Sequence, residues 1–152
     1  AVPRWLSVHE ASWYTAVPTM HQALLEQLRR EPDALDTIDL RFIRSSSSSL
    51  APTVMAELER TFGCPVVEAY GMTEAAHQMA SNPLPPAARK PGSVGPAAGP
   101  DIAIMGADGD LLGVGEIGEV VIKGPSVMNG YAANPEANSA AFDHGWFRTG
   151  DQ

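Results

Sequence analysis

The sequence predicts an α/β protein: a parallel sheet layer with helices, followed by a small antiparallel β-rich subdomain. Three observations predict it. Residues 13–70 alternate β-type and amphipathic runs in the order strand–helix–strand–helix–strand, the pattern of a parallel sheet with helices packed on it. After that the texture becomes glycine-rich, with short runs such as "IAIM" and "EVVIKG" that read as antiparallel strands. Between the two lies "SNPLPPAARKPG", a proline-rich loop. The predicted domains are therefore 1–90 and 91–152.

The elements follow in order. "WYTAV", Trp13 to Val17, is a short strand ended by Pro18. Thr19 and Gln22 have capping-box spacing, and Met20, Ala23, Leu24 and Leu28 share one face of the helix that follows. Pro32 stops that helix. "DLRFIRS" is the second strand, with Leu40, Phe42 and Ile43 apolar. After Ser45 to Ser49, Pro52 suits a first helical turn. Val54, Met55, Leu58 and Phe62 form an apolar stripe, and Gly63 suits a C-terminal stop. "CPVVEAY" is the third strand. In the second half, Gly106 to Asp110 reads as a turn, with Asp108-Gly109 a hairpin tip.

Composition narrows the function. The chain has 152 residues, 44% hydrophobic and 18% charged, with a net charge of −8. That is enough for a real core. It also argues against nucleic acid as a partner, since no basic patch exists; Arg29 and Arg30, like Arg41 and Arg44, have acids nearby. No apolar run approaches the roughly 18 residues of a membrane span. The single cysteine, Cys64, fits a reducing compartment, cytoplasmic or, in a eukaryote, peroxisomal. Between Gly63 and Pro65 it reads as a buried structural thiol. The chain opens close to a strand and closes on "GWFRTGDQ" without a helix cap. Both ends predict a cut through a larger domain, with strand edges left open to self-association.

Two unusual segments fall at the carboxyl ends of adjacent predicted strands, where ligands bind in open parallel sheets. The first is the serine run. It reads as a flexible linker, as a serine nucleophile, or as a tight strand-to-helix turn that lets a planar ligand approach the backbone. Flanking elements leave little length for a linker, and no nucleophile elbow surrounds it. The second is "YGMTE". Its plain reading is strand, turn and helix start, with Thr73 as N-cap. Its functional reading is a nucleotide site. Tyr70 can stack on a base, and Gly71 lets backbone come close. Thr73 can donate to a phosphate oxygen, helped by a helix N-terminus. Glu74 can hold Mg²⁺, which usually takes only one or two carboxylates. Asp151, beyond Gly150, suits a grip on two ribose hydroxyls.

"EAYGMTE", "KPGSVG", "GEVVIKGPSVMNGY" and "GWFRTGD" occur in that order and at similar spacing in AMP-forming adenylating enzymes, the acyl-CoA synthetases, luciferases and adenylation domains. The chain resembles that family over nearly its whole length. "WYTAVPTMHQALL", "FIRSSSSSLAP" and "MTEAAHQMASNPLPP" look most like its oxalate–CoA ligase group. The resemblance implies ATP, Mg²⁺ and CoA as reaction partners and a small carboxylate as substrate. It implies that Ser46, Ser47 and Ser48 lie along adenine and that Tyr70 stacks on it. Gly71 and Met72 would wall the acyl pocket. Thr73 would contact phosphate and Glu74 would hold Mg²⁺, both at the reacting centre. Asp151 would bind ribose. His77 would either shape the acyl site, with a second substrate carboxylate as its partner, or be a helix-face histidine with a local hydrogen bond. Arg148 looks cationic but matches no family role.

The sequence departs from the family pattern in two ways. Most members carry Gly-Gly-Ala where this chain has serines. The glycine- and serine-rich phosphate loop, the hinge after "TGD" and the domain with a catalytic lysine do not occur within the sequence. The chain thus reads as a middle portion of the large domain of an acid–CoA ligase, inactive alone and completed by flanking segments. A fatty acyl-CoA or acyl-AMP ligase and a non-catalytic nucleotide-binding scaffold remain the rival readings.

Overall fold

A computed structural model describes residues 2–152; Ala1, on which the first predicted domain opens, lies outside the described residues. The chain divides into two compact units. One runs to Tyr70 and resumes over Ala80–Pro96; the other comprises Gly71–Met79 and Ala97–Gln152.

In the first unit, helix α1 (Val2–Val8) precedes strand β1 (Trp13–Ala16), helix α2 (Pro18–Arg30), strand β2 (Phe42–Ser45), helix α3 (Pro52–Phe62) and strand β3 (Val66–Tyr70). A two-residue strand, β4 (Ala80–Ser81), completes a sheet of order β1-β2-β3-β4. β1, β2 and β3 run parallel, and β4 joins antiparallel to β3. The predicted parallel layer is therefore present. Helix α1 was not foreseen, because a seven-residue segment carries too little periodicity to read.

The helices form where predicted, with different details. Pro18 itself opens α2, and Val17 is its N-cap without a side-chain bond. The Thr19–Gln22 capping box is not used; proline's fixed φ and missing N–H already suit the first turn. His21, Leu24, Leu25 and Leu28 are its buried residues, while Met20 is 56% exposed. Met20 lines an apolar groove of about 290 Å³ with Val2, Trp5 and Leu24. Helix α3 behaves as read. Met55 and Leu58 are buried, and Gly63 closes it in the left-handed conformation at φ 66°. Leu25, Leu40, Ile43, Leu50, Met55, Leu58, Cys64 and Val66 make one core cluster under the two helices. Cys64 is the buried thiol expected. Burial first, then Glu59 and Asp39, pushes its pKa up to about 11, which leaves it protonated and inert at neutral pH.

His21 is a buried polar group within this packing. Its side chain is fully buried, with Nδ1 3.2 Å from the Tyr14 hydroxyl. Burial pushes its pKa from 6.5 down to about 4, so the ring is neutral at pH 7. A depressed pKa means that the unfolded chain takes up a proton first as pH falls. The stability due to the neutral ring is whole above pH 6.5 and is lost as pH falls toward about 4. We expect a loss on the order of 2–3 kcal/mol across that window. Melting temperatures of wild type and His21→Gln, measured from pH 7 to 4, should converge; parallel curves would contradict it.

The proline-rich loop after β4 is tied down. Asn82 is buried, and its amide donates to the Ser93 carbonyl while its Oδ1 accepts from Lys90 N at 3.0 Å. Buried Glu68 of β3 accepts from Gly92 N at 2.9 Å. Arg89 pairs with Glu59 and donates to the Val66 carbonyl at 2.6 Å.

The second unit is antiparallel throughout its sheet. Strands β5 (Asp101–Met105), β6 (Glu119–Lys123), β7 (Phe142–Asp143) and β8 (Trp146–Arg148) lie in the order β5-β6-β8-β7. Helix α4 (Pro135–Ala141) precedes β7. The turn at Gly106 to Asp110 forms, with Gly109 at φ 85° and Gly106 N donating to the Asp110 carbonyl at 2.9 Å. Met105 and Leu111 form an antiparallel bridge across this turn, so Asp108-Gly109 is the tip of a short hairpin as expected, and a further loop leads on to β6, which pairs with β5. "WFR" was not foreseen as a strand; three residues between two glycine turns give almost no alternation to detect.

Candidate functional site

In the first unit, β2 delivers the serine turn. Ser45 stands opposite Glu68 of β3 in register, so the serine turn and Tyr70 leave the same edge of the sheet from neighbouring strands. Ser46 is buried; its N–H donates to the Ala16 carbonyl at 3.2 Å, and its Oγ accepts from Arg44 Nη1 at 2.9 Å. Ser47, Ser48 and Ser49 are exposed. Ser47 adopts φ 73°, the left-handed conformation that glycine takes freely. This chain thus keeps the backbone shape that a glycine would give and adds a hydroxyl. Ser47→Gly should be neutral or stabilising by up to about 1 kcal/mol, and Ser47→Val should cost about 1–2 kcal/mol. Equal melting temperatures for the two variants would contradict that strain. Tyr70 ends β3, half-buried.

In the second unit, Gly71–Met79 forms a compact turn. A Cβ on Gly71 would lie 1.5 Å from the His77 carbonyl oxygen. Gly71 is therefore required by the chain's own return, whatever ligand it also meets. Thr73–Ala75 is a single 3-10 turn, followed by Ala76 and His77 at φ 51° and 81°. This corrects two sequence expectations. Met72, not Thr73, takes the N-cap position. No helix starts here, so no helix dipole adds charge for a phosphate; three residues are too few to sum one. His77 is exposed in the turn, not on a helix face. Thr73 is exposed as well.

Glu74 is held at two points. Its carbonyl accepts from Met128 N at 2.7 Å, and its Oε1 accepts from the Tyr131 hydroxyl at 3.1 Å. Tyr131 is itself fixed by α4: its N–H donates to Asn138 Oδ1 at 2.6 Å, and Asn138 Nδ2 donates to its carbonyl at 3.0 Å. Desolvation first, then the Glu74 carboxylate, raises the Tyr131 pKa, so the phenol keeps its proton and acts as donor. Sequence reasoning did not assign Tyr131. Its signal was present as the last residue of "GEVVIKGPSVMNGY", 57 positions from its partner.

Asp151 follows β8. Val120 N donates to its carbonyl at 2.8 Å, and its own N–H donates to Thr149 Oγ1 at 3.1 Å. Thr149 Oγ1 in turn donates to the Val120 carbonyl at 2.7 Å. Glu119 fixes the same turn by accepting from Gly150 N at 2.9 Å. Arg148 gives Nε and Nη2 to Glu119 at 2.9 and 2.5 Å; the arginine is spent on joining β8 to β6.

No group of three or more His, Cys, Asp or Glu side chains assembles a metal cage among the described residues. The single carboxylate of Glu74, with one oxygen steadied by a phenol, still fits Mg²⁺, which takes the rest of its shell from phosphates and water.

A parallel layer with a small-residue turn and an aromatic at neighbouring strand ends is a framework for holding a planar ligand. The chain belongs to the AMP-binding enzyme family, whose sequence profile matches residues 1–132. It is 57% identical to the probable CoA ligase CCL9 of Humulus lupulus, over 93% of this chain and 27% of that protein. It is 52% identical to the oxalate–CoA ligase of Arabidopsis thaliana, over 94% of this chain and 28% of that protein. The crystal structure of an anthranilate CoA ligase in complex with anthranoyl-AMP matches at a TM-score of 0.85 and 26% identity, over 98% of this chain and 28% of that one. The chain thus spans little more than a quarter of the relatives it matches. The family and the α/β fold read from the sequence are both borne out.

Proposed function

We propose that this chain is the adenosine- and metal-handling portion of an ATP-dependent acid–CoA ligase acting on oxalate or another small diacid. The observation that carries the reading is the 52% identity to an oxalate–CoA ligase over 94% of the chain. The exposed left-handed serine turn and Tyr70, on neighbouring strands, support it.

In this reading Ser46, Ser47 and Ser48 present backbone and small side chains to adenine, and Tyr70 stacks on it. Of the three, Ser46 serves through its backbone, because its hydroxyl is already engaged. Asp151 accepts from the ribose hydroxyls. Thr73 donates to the α-phosphate, and Gly71 and Met72 border the acyl group. Glu74 holds Mg²⁺, which neutralises charge on the phosphates when bound. The carboxylate oxygen of the substrate attacks the α-phosphorus, pyrophosphate leaves, and an acyl-adenylate forms. CoA thiolate then attacks the acyl carbon and AMP departs. Such chemistry depends on positioning and charge stabilisation, and tied-down residues such as Glu74 supply both. The single buried thiol suits a reducing compartment, the cytosol or the peroxisome.

The test is ATP–pyrophosphate exchange by the full-length protein with a panel of oxalate, malonate, succinate, acetate and a long-chain fatty acid. Exchange driven by a small diacid supports the reading; exchange driven only by the fatty acid overturns it. The 152-residue chain alone should bind ATP weakly. Three missing contacts to charged phosphate, at about 1.5–3 kcal/mol each, amount to roughly a thousandfold or more. Micromolar binding in calorimetry would favour a self-sufficient nucleotide module instead.

A further inference from the structure

Arg44 is only 8% exposed. It is the penultimate residue of β2, one position before Ser45. Its Nη1 donates to Thr15 Oγ1 at 3.2 Å and to Ser46 Oγ at 2.9 Å. Its Nη2 is buried without a hydrogen-bond partner. Arg29, Arg30, Arg89 and Arg148 each pair with a glutamate; among the described residues, no carboxylate pairs with Arg44.

An arginine cannot shed its proton to escape burial. Leaving its charge unpaired in the interior is costly, and two neutral hydroxyls on a single nitrogen do not neutralise it. The remaining edge of the guanidinium matches a carboxylate, which it can grip through two parallel bonds. Its place also fits a ligand role, because it precedes the serine turn at the carboxyl edge of a parallel sheet.

We infer that Arg44 pairs with the second, non-reacting carboxylate of a small diacid, with Thr15 and Ser46 as positioning residues that hold Nη1. The inference rests on the acid–CoA ligase reading. The reacting carboxylate loses its charge on becoming a mixed anhydride, and a buried cation gripping it would oppose its attack. The second carboxylate keeps its charge throughout, so a permanent cation suits it. Buried His21 is neutral at pH 7 and cannot play this part. The assignment gives to Arg44 the role that sequence reasoning gave to the exposed His77.

The experiment uses the full-length enzyme, with oxalate and with oxamate, in which one carboxylate is replaced by a neutral amide. Oxamate is measured as substrate or as competitive inhibitor. Arg44→Gln should raise the KM for oxalate about ten- to a hundredfold, leaving the oxamate constant and the KM for ATP little changed. His77→Val should not reproduce this selectivity. Where Arg44→Gln fails to fold, Arg44→Lys reads the same quantity: it keeps the charge but not the fork, and its smaller rise should be confined to oxalate. Equal losses on oxalate and oxamate, or an unchanged oxalate KM, overturn the inference. A wild-type enzyme that activates no diacid overturns the functional reading and this inference with it. A wild-type enzyme active on oxalate, beside an Arg44→Gln variant with the same oxalate KM, overturns the inference alone.

Discussion

Glu74→Ala in the full-length enzyme should lower Mg²⁺-dependent ATP–pyrophosphate exchange by about a hundred- to a thousandfold, the usual loss on removing one preorganised electrostatic group. In the proposed metal role, Glu74 would act from a position held at two points. Its carbonyl is pinned by Met128 N and its carboxylate by the Tyr131 hydroxyl, so the oxygen that would face the metal is placed before the metal arrives. Tyr131→Phe separates placement from ligation. It removes one neutral-to-charged hydrogen bond and leaves the carboxylate, so exchange should fall only about tenfold. Raising Mg²⁺ should recover part of that loss, and none of the loss in Glu74→Ala. Full exchange by Glu74→Ala would remove Glu74 from the metal role. Equal losses in the two variants would mean that Tyr131 does more than steady its neighbour.

Gly71→Ala should be about as damaging, for a steric reason. The new Cβ would sit 1.5 Å from the His77 oxygen, 2.6 Å from its carbonyl carbon and 3.3 Å from Gln78 Cα. All three are backbone or bonded directly to it, so no rotamer change relieves the clash. The turn from Gly71 to Gln78 must open, carrying Thr73 and Glu74 with it. We expect exchange to fall as far as in Glu74→Ala, with a stability loss of about 4 kcal/mol or more, in the range reserved for such backbone conflicts. Gly63→Ala is the comparison. It meets nothing within 4 Å but stands at φ 66°, so it should cost only about 1 kcal/mol. If the two substitutions gave the same melting temperature and exchange rate, the turn would not be closed as described.

The sequence showed the parallel layer because its strands and helices each have a strong local signal. Pro52 opens α3, Gly63 closes it, and Val66 to Tyr70 follows as an unbroken strand. It also placed Tyr70, Gly71 and Glu74 in one short motif. What it could not show are features set by tertiary contact. Met20 and His21 are adjacent in sequence. Periodicity alone chose the apolar residue for the core, yet packing buried the histidine and left the methionine at a groove. The helix expected after Gly71 does not form, because the chain folds back so that His77 approaches Gly71. Ser47 gave no sign of a left-handed backbone, since serine seldom adopts one. Tyr131 meets Glu74, 57 positions away, only in the folded unit, where Asn138 of α4 holds it.

Acyl-adenylate chemistry by the full-length protein leaves a specific isotope signature. The most direct measurement is isotope transfer by the full-length protein, given ATP, CoA and oxalate labelled with ¹⁸O in its carboxylates. If a carboxylate oxygen attacks the α-phosphorus and AMP later leaves with it, each AMP carries one labelled oxygen. Label in inorganic phosphate, with ADP as the nucleotide product, would place the attack at the γ-phosphorus and contradict the account.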